Sequence, residues 1–262
     1  MSKENILIFQ DTLKQIEESY PIDASKVRYY ITLNTLDHSK GKLTPITMEH
    51  NGTVHSGYNT ANEMRTAILN FANAVTPGGC VEYGSNAQEE NICRCTNLFP
   101  HLLLEKSAKN YYTPNAEHEK TEPGIYTDRI IYTRDAIVFK DDETYENIEP
   151  RTLDIITCPA PSVYLTLCEA VPLYVMRIKN IVLSAIENKA ECIVLGAWGC
   201  GAFGQDPLLV ADAFAMVLNW YGGYFKKIVF AIHPTPTHQD DMYNTFLTRL
   251  SANYKGGINR EK

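Results

Sequence analysis

The second half of the chain alternates short apolar runs with longer amphipathic stretches. The apolar runs predict strands over 129–139 (RIIYTRDAIVF), 153–157 (LDIIT), 191–196 (ECIVLG) and 226–232 (KKIVFAI). The amphipathic stretches predict helices over 171–188, 206–220 and 239–250. Asp206 suits the N-cap of the second helix, and Pro207 suits its first position. Apolar strands separated by helices are typical of a largely parallel sheet with helices on both faces.

The first half is less regular. The pattern predicts a helix over 4–19, a strand over 27–33 and a polar, turn-rich segment over 34–59. It then predicts a short helix over 60–68 that runs into a strand near 69–72. A helix from 88 to about 106, which breaks at Pro100, and a polar loop over 107–128 follow. We therefore expect an α/β fold with a mixed, largely parallel sheet. One domain over 1–262 is the expected organisation, with 1–60 as an N-terminal extension packed on it.

Composition narrows the functional classes. The 262 residues include 24 Lys and Arg against 31 Asp and Glu, for a net charge of −7. An acidic chain is poorly suited to non-specific nucleic-acid binding, which depends on phosphate neutralisation by cations. No apolar run approaches 18 residues, so we expect no membrane span.

The seven cysteines have a simple interpretation. The first residues, MSKENILIFQDTLKQ, contain no long apolar run of the secretory type, so we expect reduced thiols in a cytoplasmic protein. Cys93-x-Cys95 lacks a second Cys or His pair at ligand spacing, so the sequence predicts neither a metal site nor a cofactor.

Two loops follow expected strands, at the edge of the sheet where ligands collect. The second, 197–205, contains the pattern G-x-G-x-x-G between Gly199 and Gly204. A dinucleotide-binding unit would need an acidic residue about 20 positions further on, and none lies between Asp212 and Asp240. Glycines that expose backbone N–H groups before a helix still suit a diphosphate, and a plain tight turn is the alternative.

The first loop, 73–87, contains Gly78 and Gly79 and ends at the pair Glu89 and Glu90. Acidic residues at a helix start complement the helix dipole, which is a sufficient structural explanation for the pair. A carboxyl group that follows a glycine loop could equally act as a general acid or base. Both interpretations remain open on composition alone.

Taken together, the two loops resemble a known family. The stretch NAVTPGGC-VEYGSNA-QEENICRC, 73–95, is similar to the signature of bacterial-type poly(ADP-ribose) glycohydrolases, in which a glycine triplet and a short spacer precede Gln-Glu-Glu. GAWGCGAFGQDP, 196–207, resembles the phosphate-binding loop of the same family, and QDTLKQIEESY resembles its leading helix. The resemblance implies a three-layer α/β/α macro domain that hydrolyses the ribose–ribose O-glycosidic bond of poly(ADP-ribose). The implied partner is ADP-ribose or an ADP-ribosylated macromolecule.

The resemblance also implies roles for individual residues. Glu90 would be the catalytic acid/base and Glu89 a positioning residue beside it. Asn73 would hold the distal ribose, and Phe203 would pack on that ribose. The other residues implied to contact substrate are Gly78, Gly79, Gln88, Gly199, Cys200, Gly201, Ala202 and Gly204.

One position departs from the family pattern, because Cys80 stands where the triplet has its third glycine. A Cβ at that position would be penalised if the backbone there had a positive φ. The departure keeps two alternatives open, a mono-ADP-ribosyl hydrolase and an ADP-ribose-binding module without catalytic activity. The sequence leaves the linkage, the physiological target and the oligomeric state undecided.

Overall fold

The computed structural model describes residues 2–38, 41–233 and 241–260. Within them, one eight-stranded sheet has the order β1-β4-β5-β3-β6-β7-β2-β8. Its strands are β1 (Val27–Tyr30), β2 (Ile46–Glu49), β3 (Thr66–Phe71), β4 (Ile130–Lys140), β5 (Asn147–Cys158), β6 (Cys192–Leu195), β7 (Lys227–Ala231) and β8 (Ile258–Arg260).

The sheet is mixed and largely parallel, as predicted. Strands β5, β3, β6, β7, β2 and β8 are parallel to one another, whereas β4 runs antiparallel to both β1 and β5. All four residues of β6, at the centre, are buried. An uninterrupted apolar run such as CIVL is typical of a strand covered on both faces. The apolar strand signal therefore located the middle of the sheet correctly.

Helices cover both faces. They are α1 (Lys3–Ser19), α2 (Thr53–Ala61), α3 (Gln88–Cys95), α4 (Leu98–Leu102), α5 (Glu105–Ser107), α6 (Thr113–His118), α7 (Leu167–Glu187), α8 (Pro207–Tyr221) and α9 (Asp241–Asn253). Helices α7, α8 and α9 share one apolar core with the sheet, and residues of α1 to α4 form the second core on its other face. This arrangement is the expected three-layer fold, and α1 is the expected N-terminal helix.

The segment 34–59 differs from the prediction, because it contains β2 and most of α2 rather than turns alone. Strand β2 lies inside the sheet, between β7 and β8. The helix expected over 60–68 instead ends at Ala61, and β3 begins at Thr66. Gly57 lies in the middle of α2, where an added Cβ would overlap Ile68 of β3. Close packing on the sheet thus stabilises a helix that its polar residues and central glycine disfavour.

Two further boundaries differ. The break expected at Pro100 lies at Thr96 and Asn97, between α3 and α4, and Pro100 occupies the first turn of α4, where proline is tolerated. The loop expected over 107–128 contains a π-helical turn, Ala108–Tyr112, and then α6. Strand β8 was not predicted, and positions 239 and 240 of the last expected helix lie outside the described residues. No helix in the described ranges is long and apolar enough to cross a membrane.

Candidate active site

A cavity of about 660 Å³ opens at one edge of the sheet. Residues at or just after the carboxyl ends of five strands line this cavity. They are 51–54 after β2, 71 in β3, 160 after β5, 197–203 after β6 and 231–233 at the end of β7. These strands are consecutive parallel neighbours, so their carboxyl ends meet at the same edge. Residues 86–88 add the end of the first predicted loop. The fold therefore brings both predicted loops to one cavity.

The glycines of the first loop have a steric explanation. Gly78 and Gly79 adopt left-handed backbone, with φ of 68° and 60°. An added Cβ at Gly78 would lie 2.6 Å from the Phe99 ring, and one at Gly79 would overlap Oε1 of Glu90. Cys80, in contrast, has φ of −106°, which any residue adopts. The third position of the pattern therefore does not require glycine in this chain, and the backbone penalty considered for Cys80 does not arise.

Glu89 is buried at the first turn of α3, with 3% of its surface exposed. Its Oε2 accepts the N–H of Asn73 at 2.7 Å, and its Oε1 accepts the side-chain amide of Asn70 at 3.3 Å. Burial raises the pKa of Glu89 to about 8; the amides of Asn73 and Asn70 oppose the rise, and the charge of Glu90 adds to it. Glu89 is therefore mostly protonated at neutral pH.

Glu90 is also buried, and its carboxylate joins the loop to the helix. Oε1 accepts the N–H of Cys80 at 2.9 Å, and Oε2 accepts the N–H of Ala87 at 3.1 Å. The second contact is one half of a capping box, in which the third residue of a helix reaches back to the residue before it. Because Gly79 lacks a side chain, both Glu89 and Glu90 lie against it. The carboxylates themselves are not among the residues that line the cavity, whereas Ala87 is.

Gln88 lines the cavity and also anchors the start of α3. Its Oε1 accepts the N–H of Phe71 at 2.8 Å, and its Nε2 donates to the carbonyl of Leu69 at 2.7 Å and to Oγ1 of Thr53 at 3.2 Å. The side chain therefore links the start of α3 to the end of β3 and to the start of α2.

The side chain of Asn73 forms hydrogen bonds within its own loop. Its Oδ1 accepts the N–H groups of Val75 and Thr76 at 2.9 and 2.8 Å, which closes the first turn of the loop. Asn73, Gly78 and Gly79 do not line the cavity. Their predicted contacts with substrate stay predictions.

The second loop surrounds the opposite side of the cavity, to which it contributes the stretch from Ala197 to Phe203. Positions 199 and 204 require glycine, because Gly199 and Gly204 have φ values of 82° and 63°. Gly201 has open space around it and no positive φ. Among the described residues, the N–H groups of 201–203 donate to no protein acceptor, so they are free for a ligand. No Lys or Arg is among the described residues that line the cavity. The backbone N–H groups of this loop are thus uncharged donors that are available to an anion.

The sequence did not predict several parts of the wall, and two of them follow β2 and β4. The first is 51–54, whose origin in β2 was hidden by the polar composition around it. The second comprises Asp142, Glu143 and Tyr145, in the turn between β4 and β5. Tyr145 has φ of 57°, and its ring lies 5.3 Å from the guanidinium of the buried Arg94. The strand prediction located β4 and β5 but gave no reason for their connecting turn to reach the cavity.

Comparisons with known proteins agree with this geometry. Residues 4–141 match the family model for the catalytic domain of microbial-type PARG, the poly(ADP-ribose) glycohydrolase. The structure of poly(ADP-ribose) glycohydrolase from Thermomonospora curvata is similar to the chain, with 26% identity over 95% of this chain and 100% of that one and a TM-score of 0.82.

Two solved structures with bound ligands are also similar to the chain. The same T. curvata protein bound to the inhibitor ADP-HPD gives 26% identity, the same coverage and a TM-score of 0.80. Poly(ADP-ribose) glycohydrolase from Deinococcus radiodurans in complex with ADP-ribose gives 28% identity over 81% of this chain and 86% of that one, with a TM-score of 0.72. No curated protein sequence matches the chain. Since the family model covers more than half of the residues, the chain belongs to the microbial-type PARG catalytic-domain family.

Proposed function

We propose that the chain hydrolyses the ribose–ribose O-glycosidic bond of poly(ADP-ribose) and releases ADP-ribose. The observation that carries the proposal is the meeting of the two family loops at one cavity, with a buried Glu pair at the start of α3. Family membership and the ADP-ribose complex of the D. radiodurans relative support the same activity.

Substrate binding follows from the donors around the cavity. The N–H groups of 201–203 would hold the diphosphate, since they have no protein acceptor among the described residues and no Lys or Arg lines the described wall. Cys200, Gly199 and Gly204 would shape this loop, and Phe203, half-buried at the cavity wall, would pack on the distal ribose. Recognition by backbone groups suits a chain with a net charge of −7.

Glu90 would be the general acid and base. Cleavage passes through an oxocarbenium-like centre, so the leaving oxygen needs a proton and a water must attack the anomeric carbon. Glu90 would give its proton to the leaving hydroxyl as the C–O bond breaks, and then take a proton from the attacking water as the new C–O bond forms. The amides of Cys80 and Ala87 fix its carboxylate, and each oxygen keeps a second lone pair for this exchange.

Glu89 would position the reacting groups. A carboxyl group that stays protonated near neutral pH puts no negative charge beside Glu90. Its contact with the N–H of Asn73 joins the start of the first loop to α3.

Residues 1–262 would act as one domain, and the free thiols of all seven cysteines support a cytoplasmic location.

The test is release of ADP-ribose from poly(ADP-ribose) of defined length, with the wild type and Glu90→Gln compared at equal concentration. Glu82→Gln is the matched control, because it removes the same charge from an exposed position on the same loop. We expect release by the wild type and by Glu82→Gln, and loss of at least about 100-fold in Glu90→Gln.

Three other outcomes separate the alternatives. Tight calorimetric binding of ADP-ribose without turnover of any substrate would indicate a binding module. Release from a mono-ADP-ribosylated protein but not from polymer would indicate a mono-ADP-ribosyl hydrolase. Equal release by the wild type and Glu90→Gln would remove Glu90 as the catalyst.

A further inference from the structure

A second group of polar side chains lies beside the main cavity, where α2 meets the turn after β4. It consists of His55, Asp141 and Asp142, which each offer one ligand atom, and these atoms lie within 4.8 Å of one another. His55 and the two aspartates are far apart in the sequence, so only the fold brings them together. One imidazole nitrogen and two carboxylate oxygens form a donor set of the kind that divalent transition ions prefer.

Asp142 supplies an independent observation. Its side chain is 5% exposed, and its Oδ2 accepts the N–H of His55 at 3.0 Å. Its other oxygen, Oδ1, is buried without a hydrogen-bond partner among the described residues and lies 4.0 Å from Nδ1 of His55. A buried carboxylate oxygen that lacks a donor is unfavourable, because it has lost water without a replacement. A cation between Oδ1 and the imidazole would remove that cost.

The surrounding groups leave room for such an ion. Oδ1 of Asp141 accepts the N–H groups of Glu143 and Thr144, and the other oxygen makes no hydrogen bond within the described part of the chain. The nearby ammonium of Lys140 forms its ion pair with Asp11, at 2.6 Å. A small cavity of about 150 Å³ adjoins the three ligand side chains. It has space for the waters that complete a coordination sphere.

We propose that His55, Asp141 and Asp142 bind one divalent transition-metal ion of the Mn²⁺ class. Metal–ligand bonds of about 2.1 Å place neighbouring ligand atoms roughly 3–4 Å apart, so the three side chains close in slightly on binding. His55 has 41% of its side chain exposed and is free to make this adjustment. Asp142 also lines the main cavity. The ion would therefore hold the turn after β4 against α2, two parts of the same cavity wall.

Mn²⁺ is the appropriate probe, because its preference for carboxylate and water ligands keeps it from the exposed thiols of Cys80 and Cys168. The experiment titrates Mn²⁺ into the complete chain without substrate and follows the free ion by electron paramagnetic resonance. It compares the wild type with His55→Ala and Asp142→Asn. The matched control is His118→Ala, which removes a histidine that likewise lies close to a carboxylate, 3.9 Å from Glu122.

We expect the wild type and His118→Ala to bind one Mn²⁺ with a Kd below about 1 mM. His55→Ala and Asp142→Asn should each raise that Kd at least about tenfold. Because His55 is partly exposed, its variant should fold, and its thermal unfolding without metal should match that of the control. Absence of a one-to-one complex below about 1 mM, or equal affinity in the wild type and His55→Ala, would overturn the proposal. Neither result would bear on ADP-ribose release.

Discussion

Glu89→Gln isolates the energetic effect of a buried carboxyl group. The glutamine has nearly the same shape as a protonated glutamate, and its carbonyl can still accept the N–H of Asn73 that Glu89 accepts at 2.7 Å. What changes is ionisation, since the glutamine has no proton to lose. The comparison therefore measures how much a negative charge at this position lowers the free energy of unfolding.

The size and sign follow from the pKa of Glu89, which is about 8 in the folded chain against an ordinary value of 4.5. Between these values the folded state keeps a proton that the unfolded state has released, so the free energy of unfolding falls as pH rises. Each pKa unit corresponds to about 1.4 kcal/mol. The wild type should therefore lose about 3.5 kcal/mol relative to Glu89→Gln between pH 5 and pH 8.

The assay is urea unfolding followed by tryptophan fluorescence at intervals from pH 5 to pH 8. The difference between the wild type and Glu89→Gln removes the contributions of all other titrating groups. Glu82→Gln, at an exposed position, should track the wild type throughout. A difference between wild type and Glu89→Gln that stays constant over this range would refute the argument, because it would mean that Glu89 is ionised in the folded chain.

Three further predictions concern the loops. Gly79→Ala should lower the rate of ADP-ribose release about 100-fold, because the new Cβ would displace the Glu90 carboxylate and strain the left-handed backbone. Cys80→Gly should change that rate less than about twofold, since Cys80 has an ordinary negative φ. Similar rates for the two variants would contradict this prediction. Phe203→Ala should weaken ADP-ribose binding about tenfold by calorimetry, and unchanged affinity would show that the ring makes no contact with ligand. Gln88→Ala should lower the free energy of unfolding by about 2–3 kcal/mol, because its backbone partners at 69 and 71 lose their hydrogen bonds, and a loss below about 0.5 kcal/mol would contradict the anchoring role.

The parts of the fold that were predictable are those with strong local signals. The buried strand Cys192–Leu195 is visible from its own apolar run. The start of α8 is visible from its local cap, in which Asp206 accepts the N–H of Leu208 at 2.9 Å. The two glycine-containing loops were equally visible, because each follows an apolar strand and precedes a helix. Their meeting at one cavity follows from the parallel order of β3 and β6.

The parts that were missed depend on contacts distant in sequence. Strand β2 is four residues long, and its pairing with β7 joins Ile46 to Ile228. Such pairing between distant segments leaves little local pattern. Likewise, Gln88 was expected to contact substrate, and its bonds to the end of β3 could not be inferred from the signature alone. The backbone angle at Cys80 was also inaccessible, because a glycine pattern does not reveal which of its positions need a positive φ.

A crystal structure of the Glu90→Gln variant with bound ADP-ribose tests the central claim most directly. The measured quantity is the distance from the side-chain amide at position 90 to the anomeric carbon and hydroxyl of the distal ribose. We expect this amide to lie within about 3–4 Å of them, with the diphosphate on the N–H groups of 201–203. A distal ribose held away from position 90, with another carboxylate nearer to the anomeric carbon, would contradict it.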